Sequence, residues 1–343
     1  MAIIDKPSDY FNTKLYTGNG STQSITGVGF QPDWVWIKHR NGTSWHTLTD
    51  SVRGITKNLF SNETNAEVTN AARIISFDTD GLTVGNDVNN SGNTYASWNW
   101  KAGGTASSNT DGSITSSVSA NQDAGFSIVS WTSLASGSNY TVGHGLGSTP
   151  AMIILKGRHE SNSWLVYHHK NTSSPETDYL ELNSTVATAD YPVWNDTAPT
   201  SSVFTCGTWS GFDAGGTMIA YCFAEKQGYS KFGSYTCNGN ADGTFVYTGF
   251  KPAFVLLKHS SGGTDNWNLY DNKRLGYNAN YSFLVPNESN AENTGATTAP
   301  LDLLSNGFKI RASTGHSNSS GETYIYMAFA EQPLVGDNPA TAR

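Results

Sequence analysis

Three stretches of the chain repeat one pattern: a proline, five mainly apolar residues and a lysine. They run from Pro32 to Lys38, from Pro150 to Lys156 and from Pro252 to Lys258. Proline cannot donate to a sheet ladder, so it is tolerated at the first position of a strand. A short run of apolar, β-branched and aromatic residues that ends in a charge predicts a strand buried on both faces. Three such strands, spaced roughly a hundred residues apart, indicate a structural unit that occurs three times.

The composition favours strands over helices. Of 343 residues, 14% are charged and 12% are aromatic, whereas an average soluble domain has about 25% charged residues. Gly, Ser, Thr and Asn take the place of the missing charges. Aromatic residues favour strands, and the small polar residues favour turns. We therefore expect an all-β protein, built from three homologous antiparallel β-sandwich units (jelly-roll-like) in tandem.

The turn-forming residues suggest where these units begin and end. Unit 1 is predicted to span residues 9–103, unit 2 residues 125–227 and unit 3 residues 228–332. Residues 104–124 are mostly Gly, Ser, Thr, Asn and Asp, which is typical of a linker or an edge hairpin. Residues 333–343 are predicted to form an extended C-terminal tail. The sequence leaves open whether the three units pack together or form a row.

Each unit closes with a strand in which every second residue suits a core. These residues are Ala96, Trp98 and Trp100; Ile219, Tyr221 and Phe223; and Ile325, Met327 and Phe329. The intervening residues include Ser97 and Asn99 in unit 1. Alternation of this kind is typical of an antiparallel sheet with one solvated face, so we expect that second face to be partly wet.

The charge and hydropathy exclude two classes of partner. The formal net charge is −8, whereas a nucleic-acid binder is expected to present a basic face. No apolar run approaches the ~20 residues that a membrane helix requires. We therefore expect neither nucleic-acid binding nor membrane insertion.

Three tryptophans recur at similar positions, shortly after the lysine of each buried strand. They are Trp45, Trp164 and Trp267. An indole ring has an apolar face and a polar edge, so it can stack on a sugar. Aromatic residues of a repeated pattern also commonly pack in a core. We consider the three tryptophans as candidate ligand-binding residues and keep core packing as the alternative.

Two hexapeptides are nearly identical: Asn62-Glu63-Thr64-Asn65-Ala66-Glu67 and Asn287-Glu288-Ser289-Asn290-Ala291-Glu292. They predict a capped turn at the surface, with a cation or partner contact as the alternative. The histidines are scattered, no glycine-rich phosphate loop precedes a helix, and no nucleophile elbow is present. We therefore expect no metal site, no cofactor and no enzymatic activity.

Several motifs together resemble a known family, a repeated β-domain of uncharacterised function in tail-fibre and virion-appendage proteins of bacteriophages, notably marine and cyanobacterial phages. The motifs that carry the resemblance are Tyr16 to Gly20, Gly29 to Lys38, Tyr221 to Glu225 with Gly228 to Gly233, Leu301 to Lys309, and Pro339 to Arg343. The match covers nearly the whole chain.

The resemblance implies a virion protein that is assembled in the host cytoplasm. We expect it at the tail periphery, in a tail fibre or knob, where it contributes to host-surface recognition and adsorption by binding polysaccharide. The alternative is a capsid or tail decoration protein with a purely structural role. A glycan depolymerase is a third hypothesis, but it requires paired acids across a cleft. Expected partners are other virion proteins and further copies of the chain in a trimer or hexamer.

Overall fold

The structure, a computed structural model, describes residues 3–295, 299–313, 315–337 and 339–340. It is all-β, with strands that pair antiparallel and short 3₁₀ helices at Pro7–Asp9, Asn86–Val88 and Gly315–Ser317. In this described part of the chain, no helix is long and apolar enough to cross a membrane. Asn338 and residues 341–343 of the predicted tail lie outside the described residues.

The strands of unit 1 form a large and a small sheet. They are β1 (Phe11–Thr17), β2 (Gln23–Thr26), β3 (Trp34–His39), β4 (Thr47–Asp50), β5 (Lys57–Phe60), β6 (Val68–Thr69), β7 (Ile74–Asp78), β8 (Gly81–Val84) and β9 (Thr94–Trp100). Large sheet 1 has the order β1-β9-β3-β4-β5-β6, and small sheet 1 the order β2-β8-β7.

Unit 2 and the segment before it form the next two sheets. Their strands are β10 (Ser107–Asn109), β11 (Ser116–Asn121), β12 (Phe126–Thr132), β13 (Tyr140–Gly143), β14 (Met152–Gly157), β15 (Leu165–His168), β16 (Asp178–Glu181), β17 (Ala189–Asp190), β18 (Val203–Cys206) and β19 (Thr217–Phe223). Large sheet 2 has the order β10-β11-β12-β19-β14-β15-β16-β17, and small sheet 2 pairs β13 with β18. Strands from residues 104–124 thus extend large sheet 2 at its edge.

Unit 3 also forms a large and a small sheet. Its strands are β20 (Ser230–Thr236), β21 (Phe245–Tyr247), β22 (Phe250–His259), β23 (Asn268–Asp271), β24 (Leu301–Leu304), β25 (Gly307–Ile310) and β26 (Thr323–Pro333). Large sheet 3 has the order β20-β26-β22-β23, and small sheet 3 the order β21-β25-β24.

Each large sheet packs one face on its small sheet. In unit 1, Val35 and Ile37 of β3 lie in a buried cluster with Ile25 of β2 and Leu82 of β8. Corresponding buried clusters join the sheets of unit 2 and of unit 3. The fold of each unit is therefore a β-sandwich.

The opposite faces of the three large sheets meet in one shared core. A single buried cluster contains Trp34 and Trp98 of unit 1, Tyr221 of unit 2, and Phe254 and Phe329 of unit 3. The rings of Trp34 and Tyr221 stack with centroids 4.4 Å apart, and the rings of Trp98 and Phe254 meet edge to face at 6.3 Å. The units pack together, and the central strands are buried on both faces as the sequence predicts.

The expectation of a wet second face in unit 1 is wrong. Ser97 and Asn99 of β9 are fully buried, because small sheet 1 covers this side of large sheet 1. The Ser97 hydroxyl donates to Asn99 Oδ1 at 2.9 Å, and Asn99 Nδ2 donates to the Asn12 carbonyl at 3.0 Å. Buried polar side chains that bond to each other and to the backbone are compatible with a dry interface.

The central strand pair has the same register in all three large sheets. The equivalent pairs are Trp34 with Trp100, Met152 with Phe223, and Phe254 with Phe329. The lysines that close the sequence repeats also occupy equivalent positions, opposite Ala96, Ile219 and Ile325. Residues of different units can therefore be compared position by position.

The three strand-closing lysines are completely buried, and each bonds to a neighbouring unit. Burial lowers the pKa of Lys156 to about 7 and those of Lys38 and Lys258 to about 8. The inter-unit bonds join Lys156 Nζ to Thr64 O at 2.9 Å, Lys258 Nζ to Thr185 O at 2.8 Å, and Lys38 Nζ to Ser289 O at 3.2 Å. Unit 2 thus donates to unit 1, unit 3 to unit 2, and unit 1 to unit 3, which closes a ring of three junctions.

A network of buried charges reinforces the junction between units 1 and 2. Asp50 and Arg53 form a buried ion pair, and the Tyr221 hydroxyl of unit 2 donates to Asp50 at 2.8 Å. Arg53 also donates to Glu67 at 3.1 Å. Glu67 in turn accepts two bonds of 2.9 Å from Arg158 of unit 2. Such bidentate pairs are strong and geometrically specific.

The junction between units 3 and 1 repeats this network with equivalent residues. Asp271 accepts from Arg274 at 2.6 Å and from the Trp98 indole of unit 1 at 3.0 Å. Glu292 pairs with Arg40 of unit 1. The last glutamate of each hexapeptide is therefore an inter-unit contact, and the predicted capped surface turn is wrong for Glu67 and Glu292.

The junction between units 2 and 3 has uncharged residues where the other two junctions have a buried aspartate and arginine. His168 takes the place of the aspartate, and its Nε2 lies 3.1 Å from the Tyr326 carbonyl of unit 3. Asn171 takes the place of the arginine and accepts from Thr188 at 2.7 Å. Thr188 also bonds to the Ser260 carbonyl at 2.7 Å. One architecture thus tolerates a charged or a neutral junction.

His168 makes this junction sensitive to acid. Its Nδ1 accepts from the Lys170 backbone N–H at 3.1 Å while Nε2 faces the Tyr326 carbonyl, so the neutral ring satisfies both atoms. Burial lowers the pKa of His168 to about 3. Because the unfolded histidine titrates near ~6.5, the unfolded state binds the extra proton below that pH, and the free energy of unfolding falls as the pH falls.

We expect His168 to account for about 2 kcal/mol of the stability lost between pH 6.5 and pH 5. H168Q keeps a side-chain donor but does not titrate. Between pH 6.5 and pH 5, the free energy of unfolding of H168Q should therefore fall by about 2 kcal/mol less than that of the parent protein. Urea unfolding of both proteins at the two pH values measures the difference. Equal losses in the two proteins would contradict the assignment.

Candidate functional site

Two of the three candidate tryptophans are interior residues. Trp164 and Trp267 are buried in the shared core. The Trp164 indole donates to the Phe60 carbonyl of unit 1, and the Trp267 indole to the Glu181 carbonyl of unit 2, each at 2.8 Å. Protein covers both rings, so a sugar could not stack on them in this conformation.

Trp45 lies elsewhere and is 42% exposed, with its ring centroid 4.8 Å from that of Phe60. The strand register shows that His46, one residue later, occupies the position equivalent to Trp164 and Trp267. His46 is buried, and its Nδ1 accepts from the Trp36 indole at 2.8 Å. The structure therefore does not bring the three tryptophans together at one surface.

The register also reveals the counterpart of the hexapeptides in unit 2. A side-chain amide oxygen accepts from the backbone N–H of each of these three buried aromatic residues. The bonds are Asn62 with His46 at 2.8 Å, Asn183 with Trp164 at 2.6 Å, and Asn287 with Trp267 at 2.8 Å. Unit 2 thus keeps the structural asparagine, although the segment that begins at Asn183 was not recognisable as a copy.

A different pair of aromatic residues reaches solvent. Phe245 and Tyr247 of β21 are 43% and 58% exposed, whereas Val246 between them is buried. Alternate residues of a strand point to the same face. The two rings therefore lie side by side on the outer face of small sheet 3.

The equivalent strand of unit 1 carries no aromatic residue. Ile25 of β2 pairs with Leu82 as Val246 pairs with Phe308, so Ser24 and Thr26 occupy the positions of Phe245 and Tyr247. Small hydroxyl side chains are thus compatible with this position of the fold. Packing of the sandwich does not require the two rings, because they point away from its core.

The residue opposite Tyr247 must be glycine. Tyr247 is paired with Gly307 of β25, and a side chain at Gly307 would collide with the Val246 carbonyl. Further along the same face, Phe245 is paired with Lys309, which forms an ion pair with Asp242. The outer face therefore combines two aromatic rings with charged groups.

Tyr247 also borders a cavity of about 470 Å³. Glu225, Lys226 and Lys231 contribute polar groups to its lining, and Val335 contributes an apolar wall. Lys231 Nζ lies 3.3 Å from Glu225 Oε2, and the Phe232 backbone N–H donates to Glu225 Oε1 at 2.9 Å. These contacts hold the carboxylate in place while the cavity stays open to solvent.

The arrangement suits a neutral, polyhydroxylated ligand. Aromatic rings bind apolar ligand faces, and carboxylate and ammonium groups accept from and donate to hydroxyls. Ligand sites typically combine apolar walls with a few fixed polar groups. Phe245 and Tyr247, with the cavity beside them, form what we call the aromatic face.

Comparison with known proteins places the chain by sequence. Residues 6–333 match the model of a domain family that is described as a domain of unknown function (DUF7483). The chain belongs to this family. No curated protein and no solved structure matches it. The family description assigns no activity.

Sequence reasoning did not identify Phe245 and Tyr247. A signal was present, because Phe245-Val246-Tyr247 alternates in an unusual way, with the larger aromatic side chains outside. Recognising it required the alignment with Ser24-Ile25-Thr26, which only the strand register supplies.

Proposed function

We propose that this protein is a non-enzymatic virion component at the periphery of a bacteriophage tail, and that its aromatic face binds polysaccharide on the host surface. The observation that carries the binding role is the exposed Tyr247 ring beside a cavity that presents Glu225, Lys226 and Lys231. The resemblance of the sequence motifs to phage appendage domains supports the location.

The chemistry of the aromatic face favours polysaccharide over other ligands. Sugar rings present C–H faces that pack on tyrosine and phenylalanine. Their hydroxyls donate hydrogen bonds to carboxylates and accept them from ammonium groups. The net charge of −8 disfavours nucleic acid and other polyanions. A face of two adjacent rings matches successive residues of a polymer better than a single small molecule.

The binding role is tested by replacing Phe245 and Tyr247 with serine and threonine, the residues that unit 1 carries at the equivalent positions. The double variant F245S/Y247T should weaken polysaccharide binding by about 5- to 150-fold, because the two lost ring contacts together contribute about 1–3 kcal/mol. Binding is measured on an array of neutral polysaccharides isolated from bacterial surfaces. Stability should change little, since both rings point to solvent.

Y191S is the matched control. Tyr191 is 44% exposed and does not line the cavity of the aromatic face, so this variant should bind as the parent protein does. The binding role would be rejected if the parent bound no preparation on the array, or if F245S/Y247T bound as tightly as the parent.

A decoration protein with a purely structural role is the second candidate. It is favoured by the ring of three junctions, which arranges the three units around one shared core. Cryo-electron microscopy of intact particles separates the two candidates. Density at the tail supports host contact, whereas density distributed over the capsid supports decoration.

A further inference from the structure

We propose that His159, Glu160 and Asp213 form a binding site for a divalent transition-metal ion such as Zn²⁺. One ligand atom from each residue lies within 4.8 Å of the other two. His159 Nε2 lies 3.3 Å from Asp213 Oδ2 and 3.9 Å from Glu160 Oε1. Metal–ligand distances of about 2.0–2.2 Å in a tetrahedral site require donor atoms about 3.3 Å apart, so small side-chain rotations complete the geometry.

The position of these residues in the fold is specific to unit 2. His159 and Glu160 are the third and fourth residues after Lys156. The equivalent residues are Asn41-Gly42 after Lys38 and Ser261-Gly262 after Lys258. Asn, Ser and Gly are favoured in turns. Unit 2 instead places an imidazole and a carboxylate in this loop, where the fold does not require them.

The surroundings orient the imidazole as a metal ligand requires. His159 Nδ1 lies 3.4 Å from the Thr217 carbonyl, so a proton on Nδ1 leaves the Nε2 lone pair facing the two carboxylates. Ligating histidines commonly donate their second N–H to a backbone carbonyl in this way. The ring also lies against Gly216, where any side chain would overlap it.

The local charge attracts a cation. Glu160 and Asp213 supply two negative charges, and both side chains are accessible to solvent. Arg158 lies nearby but is bound to Glu67. Lys156 is buried below the loop and bonds to carbonyl oxygens. One imidazole and two carboxylates suit Zn²⁺, Co²⁺ or Ni²⁺, and the remaining position is open to water or to a group of a binding partner.

Titration of the metal-free protein with ZnCl₂ in a calorimeter tests the site. We expect one ion per chain, and binding weakened about tenfold or more in H159N and in D213N. H159N introduces the residue that unit 1 carries at this position, so the variant should fold. H39N is the matched control: His39 bonds to the amide of Asn41 and stacks on the Tyr95 ring in unit 1, and it is not one of the three proposed ligands. Its loss should leave the affinity for Zn²⁺ unchanged.

A second readout is the visible spectrum of the Co²⁺ form, which reports the ligands directly and should change in H159N. The proposal is overturned if the parent protein binds no Zn²⁺, or if H159N and D213N bind it as tightly as the parent. It does not depend on polysaccharide binding, because none of the three ligand residues lines the cavity of the aromatic face.

Discussion

Replacing Arg53 by asparagine is expected to lower the free energy of unfolding by about 3–5 kcal/mol, because it leaves buried charges without a partner. Arg53 and Asp50 are buried, and Arg53 also bonds to Glu67 at 3.1 Å and to the Tyr221 hydroxyl at 3.1 Å. Asparagine cannot reach these groups. Chemical denaturation of R53N measures the loss.

The neutral junction between units 2 and 3 provides the matched control. The quadruple variant D50H/R53N/E67T/R158S installs the residues found there, His168, Asn171, Thr188 and Ser260. Removing all members of a buried charge network together costs far less than removing one. We therefore expect the quadruple variant to be clearly more stable than R53N. If it were equally unstable or worse, lost packing and not unpaired charge would be the cause.

Trp34→Ala is also expected to have a large effect: it should lower the free energy of unfolding by about 3–5 kcal/mol. The Trp34 ring is fully buried, with the rings of Tyr221 and Trp100 each 4.4 Å away. Because the cluster around it includes all three units, the loss should not stay within unit 1. Hydrogen exchange should show reduced protection in β14 and β22 as well as in β3.

Trp45→Ala serves as the control for the loss of an indole. Trp45 is 42% exposed, and surface substitutions usually change stability by about 0.5 kcal/mol or less. If Trp34→Ala weakened protection in unit 1 alone, the units would be independent domains in contact and not parts of one cooperative structure.

The local pattern predicted the strands well, but not what covers them. The run from Pro32 to Lys38 correctly indicated a strand buried on both faces. Ser97 and Asn99 looked solvent-facing because their polarity is a local property. Their burial depends on small sheet 1, which is contributed by residues distant in the chain.

Contacts between units were the second thing that the sequence did not reveal. Glu67 and Glu292 have the spacing of a capped surface turn, and nothing nearby in the chain shows that Arg158 and Arg40 bind them. The tryptophans illustrate a related problem. Sequence spacing aligned Trp45 with Trp164, whereas the strand register shows that His46 is the residue equivalent to Trp164.

The ring of junctions has an implication for how the surface can diversify. In a homotrimer each substitution appears three times, since one gene supplies every subunit. Here a single polypeptide supplies all three sides, so a change in one side leaves the other two as they were. His159 and Glu160 occur in unit 2 alone, and Phe245 and Tyr247 replace Ser24 and Thr26 in unit 3 alone. A pseudosymmetric interior thereby supports an asymmetric exterior, on which each side can acquire its own chemistry.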